Sequence, residues 1–245
     1  MDEGPAGKYS SSFEMGAQLE RIRRAYDLTV RQYESGSDPL SSVPDDLKKT
    51  PEFQTFLDET GDACHGGAPD VREYLNPGKG MRFLDVGCSA GLKTYRLYQW
   101  PSTYFGADIS PLLVEAMRKY AANNAINIGG LHVADAANLP FESDYFDIAA
   151  MVGVLEYCTL DYVEASLLEL SRVLRDGGKM VVDIANLAHP HVDMMFSLEE
   201  CLSRPQVAHE RSAFEGLLAR QFEIDSVDSS RVMLKYFCRS RALTQ

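Results

Sequence analysis

Leu84-Asp85-Val86-Gly87-Cys88-Ser89-Ala90-Gly91 is the stretch on which the fold turns. It joins a short β-rich run, Met81–Val86, to a helical stretch, Leu92–Gln99, through a turn that carries two glycines. A strand that re-enters as a helix through a glycine turn opens a β-α-β unit. Reading outward, the alternation continues. Strands are expected at Ser102–Ala107, Leu131–Ala134, Tyr145–Met151 and Lys179–Ile184. Ser110-Pro111 starts a helix with Leu113, Ala116, Met117 and Tyr120 on one face. Val163, Leu167, Leu170 and Leu174 stripe another, which Asp176-Gly177-Gly178 is expected to close. Two last strands, Phe222–Val227 and Arg231–Arg239, follow a helical region near Arg211–Gln221. Only Asp228–Ser230 separates them, too short a link for a parallel crossover, so they form an antiparallel hairpin at the sheet edge. The predicted fold is α/β: a doubly wound, Rossmann-like, seven-stranded and mostly parallel sheet with an antiparallel C-terminal hairpin.

Towards the N-terminus the pattern changes. Residues 1–12 are rich in Gly, Ser and Pro and are expected to be disordered. Leu19, Ile22, Tyr26, Val30 and Tyr33 then recur at spacings of 3, 4, 4 and 3 on one helical face, with Arg21, Arg23, Arg24 and Arg31 mostly away from it as a solvated face. Thr50-Pro51 reads as a helix start, offering Phe53, Phe56 and Leu57, and a short helix follows at Asp70–Leu75. Three regions result: the disordered 1–12, a helical cap over 13–75, and an α/β domain over 76–245.

The turn is not one of the phosphate-binding kinds. For a dinucleotide fingerprint Gly87 fits, but Ser89 stands at the second glycine and Leu92 at the third, and the second glycine is what lets backbone approach a pyrophosphate. Gly91-Leu92-Lys93-Thr94 misses the register of a P-loop. What stands out instead is a carboxylate at the end of each of three strands: Asp85, Asp108 (23 residues on) and Asp135. At the second strand an aspartate is placed to accept both hydroxyls of a ribose, and at the third to accept an adenine amino group. One such residue serves equally well as a helix cap; three in series point to a nucleoside with a neutral or positive tail.

These residues resemble the class I S-adenosylmethionine-dependent methyltransferases, in particular their small-molecule branch. Leu84–Gly91 looks like the first motif and Gly106-Ala107-Asp108-Ile109-Ser110 the second. Ala134–Phe141 with Asp144–Asp147 resembles the third, and Val154-Leu155-Glu156-Tyr157 stands where the family often has Val-Leu-Glu-His. Leu170–Gly178 is similar to the family's approach to strand five. The resemblance covers about residues 75–245 and implies S-adenosylmethionine as cofactor. It places the methionine end over the Gly87, Cys88, Ser89 and Gly91 turn behind Asp85, the ribose on Asp108, and adenine against Ile109, Asp135 and Ala136. Val152 and Gly153 would line the methyl-transfer end, and Tyr33, from the cap, would touch the cofactor.

Methyl transfer is an in-line displacement that chiefly needs alignment, with a base where the acceptor carries a proton. Among five histidines, His132 and His209 read as structural, while His189 and His191 follow strand five on the side of the site and are candidates to touch the acceptor. Tyr157 is a third candidate, for the acceptor or the cofactor carboxylate. His65, in Cys64-His65-Gly66-Gly67, belongs to a Gly-rich loop able to gate the site. The pair His189-Pro190-His191 lacks a nearby third ligand, so no metal is expected.

With 24 Lys and Arg against 36 Asp and Glu, the net charge of −12 disfavours nucleic acid and anionic membrane surfaces as partners. No apolar run approaches a membrane span, the first residues lack a secretory pattern, and five cysteines without a C-x-x-C read as free thiols. The chain is therefore expected to be a cytoplasmic enzyme that methylates an oxygen, nitrogen or carbon of a small molecule. Two alternatives are a non-catalytic module of the same fold and a nicotinamide-dependent oxidoreductase, the latter disfavoured by Ser89 and Leu92. The sequence leaves oligomeric state open, a homodimer among the options.

Overall fold

The computed structural model describes residues 6–61, 69–204 and 206–241. The loop around Cys64 and His65 lies outside these residues, as does the Tyr33 side chain. The helices are α1 (Ala6–Ser35), α2 (Asp45–Lys48), α3 (Pro51–Gly61), α4 (Pro69–Leu75), α5 (Gly91–Thr94), α6 (Pro111–Asn123), α7 (Leu160–Val173), α8 (Val192–Cys201) and α9 (Arg211–Gln221). The strands are β1 (Arg82–Val86), β2 (Thr103–Asp108), β3 (Gly130–Val133), β4 (Phe146–Met151), β5 (Leu174–Ala185), β6 (Phe222–Asp228) and β7 (Met233–Ser240). They form one seven-stranded sheet in the order β3-β2-β1-β4-β5-β7-β6. All pairings are parallel except those of β7, which runs antiparallel to both β5 and β6.

Alternating side chains send each strand's apolar residues to both faces, as a doubly covered sheet requires. Leu84, Val86, Ala149, Met151, Val182 and Tyr236 pack with Val163, Leu167 and Leu170 of α7 and Phe214 and Leu218 of α9. Phe83, Tyr104, Ile148, Val181 and Phe237 face the other way, onto Val71 and Leu75 of α4 and Val114, Met117 and Ala121 of α6. A third cluster joins Val43, Phe53 and Phe56 of the cap to Val192, Met195 and Leu198 of α8. Order reverses between β1 and β4, opening a crevice at their carboxyl ends.

Several expectations about elements need correction. α1 starts at Ala6, within the segment expected to be disordered; Ala6, Lys8 and Glu14 favour helix, and its serines oppose it weakly. Its Met15 and Ile22 join the main core, so the cap is partly core and not only cover. The Leu92–Gln99 helix is broken: α5 stops at Thr94, Arg96 turns left-handed (φ 52°), and a 3₁₀ turn follows at Leu97–Gln99. Asp176-Gly177-Gly178 does not end α7. That helix gives way directly to β5 at Leu174, and the glycines form a bulge inside the strand, where the β4 register slips between Phe146 and Ile148. Gly177 takes φ 68°, and a Cβ on Gly178 would stand 2.9 Å from the Arg175 carbonyl oxygen. α8 was missed, although Val192, Met195 and Leu198 repeat every three residues.

Candidate active site

The glycine turn is built by β1 and β2 together. The amides of Gly87 and Cys88 donate to the carbonyl of Ala107 at 2.8 and 3.1 Å, which folds the chain tightly across the end of β2. Gly87 sits at φ 71°, and any Cβ there would fall 2.2 Å from Cγ2 of Val154, so the residue must be glycine on two counts. Ser89 also turns left-handed, at φ 39°, which aims its amide at Asp108.

Asp108 is 7% exposed, and each of its oxygens holds one backbone donor: Oδ2 the amide of Ser89 and Oδ1 that of Ser110, both at 2.8 Å. Burial raises its pKa and the two amides oppose that rise. A carboxylate oxygen accepts more than one hydrogen bond, so the bound amides orient the group and leave it capacity to take two hydroxyls from the cleft. Asp85 lies beneath the turn, accepting the Tyr104 hydroxyl at 2.8 Å. Burial pushes its pKa up to about 7, against the lowering effect of that bond.

One large cleft, of about 1790 Å³, connects these groups to the cap. It is lined by Asp85, Gly87, Cys88, Ser89, Gly91, Asp108, Ile109, Ala136, Val152 and Gly153 of the expected cofactor residues, and by Tyr157, His189 and His191 of the expected catalytic ones. Asp135 is turned aside: its Oδ1 takes the Ala137 amide at 2.8 Å and the hydroxyl of Tyr162, and Ala134, Ala136 and Tyr162 face the cleft in its place. Tyr157 is buried and occupied. Its hydroxyl donates to Glu199 Oε2 at 3.0 Å and lies 3.3 Å from that of Tyr26, above which Arg204 stacks at 4.3 Å. His189 accepts the His191 amide at Nδ1, 3.2 Å away, which leaves Nε2 as the proton-bearing nitrogen of the neutral ring. His132 sits half-buried in β3, and His209 is buried against the Leu155 carbonyl, neither of them lining the cleft.

Two carboxylates were not anticipated. Glu156 is 5% exposed, lines the cleft, and has no partner for Oε2. Burial first, then the nearby Asp183, push its pKa well above the ordinary value. Asp183, on β5, accepts the Gly153 amide at 2.8 Å; burial raises its pKa to about 6, with Lys235 opposing. Glu156 sits within the apolar run Val152–Cys158, and a lone acid in such a run is the signal that could have marked it. Among the described residues no cluster of His, Cys, Asp and Glu could hold a metal ion.

A family model described as a methyltransferase domain matches residues 84–182, the stretch from the glycine turn into β5. The chain is 25% identical over 240 residues to the sterol 4-C-methyltransferase strm-1 of Caenorhabditis elegans, covering 93% of this chain and 67% of that protein. It is 29% identical over 110 residues to a ubiquinone biosynthesis O-methyltransferase of Brucella ovis, covering 45% of this chain and 43% of that one. The chain thus spans about two thirds of the first of these relatives and less than half of the second. Among solved structures, the geranyl diphosphate C-methyltransferase of Streptomyces coelicolor A3(2), determined with Mg2+, geranyl diphosphate and S-adenosyl-L-homocysteine, superposes with a TM-score of 0.63 at 15% identity, over 92% of this chain and 98% of that chain. The strand order, the glycine turn with its paired aspartate, and the match over residues 84–182 together identify a methyltransferase domain of the kind that uses S-adenosylmethionine.

Proposed function

We propose that the protein transfers a methyl group from S-adenosylmethionine to a bulky, largely apolar small molecule, with Glu156 receiving the acceptor's proton. One observation carries this reading: the buried carboxyl of Glu156, with no partner for Oε2, stands in the wall of a cleft too large for a cofactor alone. Pockets for a single drug-sized ligand run to about 1,000 Å³, and this one exceeds that. The remaining space is walled by Leu19, Ile22, Val30, Phe56, Met195 and Val232. Relatives named for sterol and ubiquinone chemistry support an acceptor of that character.

The residues fit the cofactor. Asp108, held by two amides, suits a ribose diol, Ile109 and Ala136 suit the base, and Val152 and Gly153 follow β4 at the far end of the turn. Bound there, S-adenosylmethionine supplies an electrophilic methyl carbon on a positively charged sulfur. The chain's part is alignment, exclusion of water and proton management. Positive charge nearby favours the ionised form of Glu156, and a carboxylate whose proton affinity is raised by burial is the stronger base. Glu156 would take the proton that the acceptor gives up on receiving the methyl group, which the cofactor's sulfonium would supply. His189 and His191 at the rim would orient the acceptor's polar end, and Tyr157 would fix Tyr26 and Glu199 around it. Tyr33 stands as a further candidate cofactor contact, and Asp135 would act through Tyr162, whose hydroxyl it holds at the cleft wall.

We place the protein in the cytoplasm: among the described residues no helix is long and apolar enough to cross a membrane, and Cys88, Cys158, Cys201 and Cys238 are all unpaired. The charge of −12 argues against a nucleic-acid acceptor. The test is to incubate the full chain with S-adenosylmethionine and a panel of apolar phenols, amines and isoprenoid or steroid alkenes, and to measure S-adenosylhomocysteine. Turnover confined to bulky apolar members is the expected result; turnover only with small polar metabolites would overturn the acceptor class.

A further inference from the structure

Asp27 breaks a local rule. Aspartate is a poor residue for a helix interior and is seldom buried without a partner, yet Asp27 lies in the middle of α1 and is 8% exposed. Both of its oxygens are engaged. Oδ2 meets Arg23 at 2.9 Å, one turn back on the same helix. Oδ1 leaves the cap altogether and accepts the hydroxyl of Ser110 at 2.5 Å.

Ser110 is the residue through which the ribose-side carboxylate is held. It is fully buried and caps α6, its Oγ accepting the Leu113 amide at 3.1 Å, while its own amide donates to Asp108 Oδ1 at 2.8 Å. As an acceptor from Leu113, the Oγ fixes its remaining proton in one direction, and Asp27 stands there. The chain of bonds therefore runs from Arg23 through Asp27 and Ser110 to Asp108, whose other oxygen holds the glycine turn through the Ser89 amide. No residue of this chain other than Asp27 belongs to the cap and also bonds to the residue that orients Asp108, among the hydrogen bonds of the described residues.

We propose that Asp27 is a positioning residue for cofactor binding: through Ser110 it sets the orientation in which Asp108 meets the ribose hydroxyls, so that docking of α1 and capture of the cofactor reinforce each other. The proposal rests on reading Asp108 as the ribose-binding carboxylate. A carboxylate that must accept two hydroxyls at once is sensitive to small rotations, and an ionic acceptor on Ser110 removes that freedom. Coupling of this kind is reciprocal, so bound cofactor holds the cap helix as firmly as the cap helix holds the site.

The experiment is calorimetric titration of the full chain with two probes, S-adenosylhomocysteine and its 2′,3′-dideoxy analogue, which lacks the hydroxyls. Asp27→Ala is expected to weaken binding of S-adenosylhomocysteine by about 5- to 20-fold, the range of one charge-assisted bond acting through a neighbour. It should leave the dideoxy analogue within about twofold, because the contact being oriented is absent from that probe. Asp27→Asn, whose amide oxygen still accepts the Ser110 hydroxyl, should recover most of the loss. In a Ser110→Ala background, Asp27→Ala should add less than about twofold, since the intermediary is gone. Equal loss with both probes would mean that Asp27 merely braces the cap, and would overturn the proposal. A normal Asp27→Ala affinity beside a weakened Asp108→Ala would overturn it too, while leaving the ribose reading intact. If the wild-type chain binds both probes equally, the ribose reading itself fails and the relay falls with it. Should Asp27→Ala not fold, Ser110→Ala carries the same discrimination between the probes.

Discussion

Glu156 and Asp183 show how the sheet's carboxyl edge stores proton affinity. Each is an acid that water would ionise near pH 4, and each is held at a higher pKa chiefly because burial strips its carboxylate of solvent. Asp183 has a cation across the β5–β7 ladder in Lys235 and an amide bond from Gly153; Glu156 has the opposing charge of Arg204 but no partner for Oε2. Glu156→Gln keeps the shape, removes the proton acceptor, and should lower kcat by about 100- to 10,000-fold with S-adenosylhomocysteine binding unchanged. In the wild-type chain, turnover should rise with pH as the carboxyl ionises, since only the deprotonated form accepts. In Glu156→Gln that rise should disappear. A variant that loses cofactor affinity in step with turnover would show that Glu156 holds the cofactor instead. By contrast the Tyr157 hydroxyl is already committed to Glu199, which suits it to bracing and not to exchange.

Cap and strand elements are joined more closely than a detachable lid would be. Ile22 of α1 lies in the same cluster as Leu84 and Val86 of β1, whereas Leu28, six residues on, is 53% exposed. Ile22→Ala should therefore cost about 2–4 kcal/mol in urea unfolding, and Leu28→Ala less than about 0.5 kcal/mol. Equal, small effects would return the cap to the status of a cover. The positions of the strands and the antiparallel close were legible in the sequence because each strand is a β-rich apolar run bounded by a turn, and because a three-residue link at Asp228–Ser230 permits nothing but a hairpin. The glycine turn and Asp108 were legible for the same reason: they are local signals at a strand end. What could not be read was set by tertiary contact. Asp176-Gly177-Gly178 is as good a helix stop as a bulge, and only the fit of Gly178 against the Asp147 and Arg175 carbonyls decides between them. The bond that occupies Asp135 comes from Tyr162 of α7, 27 residues on, and the unmet Oε2 of Glu156 shows only once the chain has folded around it.

Across the whole molecule, buried acids make stability depend on pH in an unusual direction. Asp85, with a folded pKa of about 7 against 3.8, keeps its proton in the folded chain where the unfolded chain has lost it. Its contribution is thus most favourable below about pH 4 and declines as pH rises through 7. Asp183, at about 6, acts in the same sense. Glu169 and Asp225, held low by Arg172 and Arg239, titrate below that window and add no slope within it. The ligand-free chain should therefore melt at a lower temperature at pH 8 than at pH 5.5, and Asp85→Asn should shrink the difference; an unchanged difference would locate the dependence elsewhere. Finally, the antiparallel seam has a meaning for synthesis on the ribosome. β5, buried along its inner half, pairs on one side with β4 and on the other with β7, whose first residue is Met233. From the time Ala185 has been made until Ser240 follows, roughly 55 residues later and so about 3 to 11 seconds at ordinary translation rates, the growing chain carries an open row of backbone donors and acceptors beside its most apolar strand. The last strand to be made is an inner one, and the nascent protein has to be shielded from sticking to its neighbours until that strand arrives.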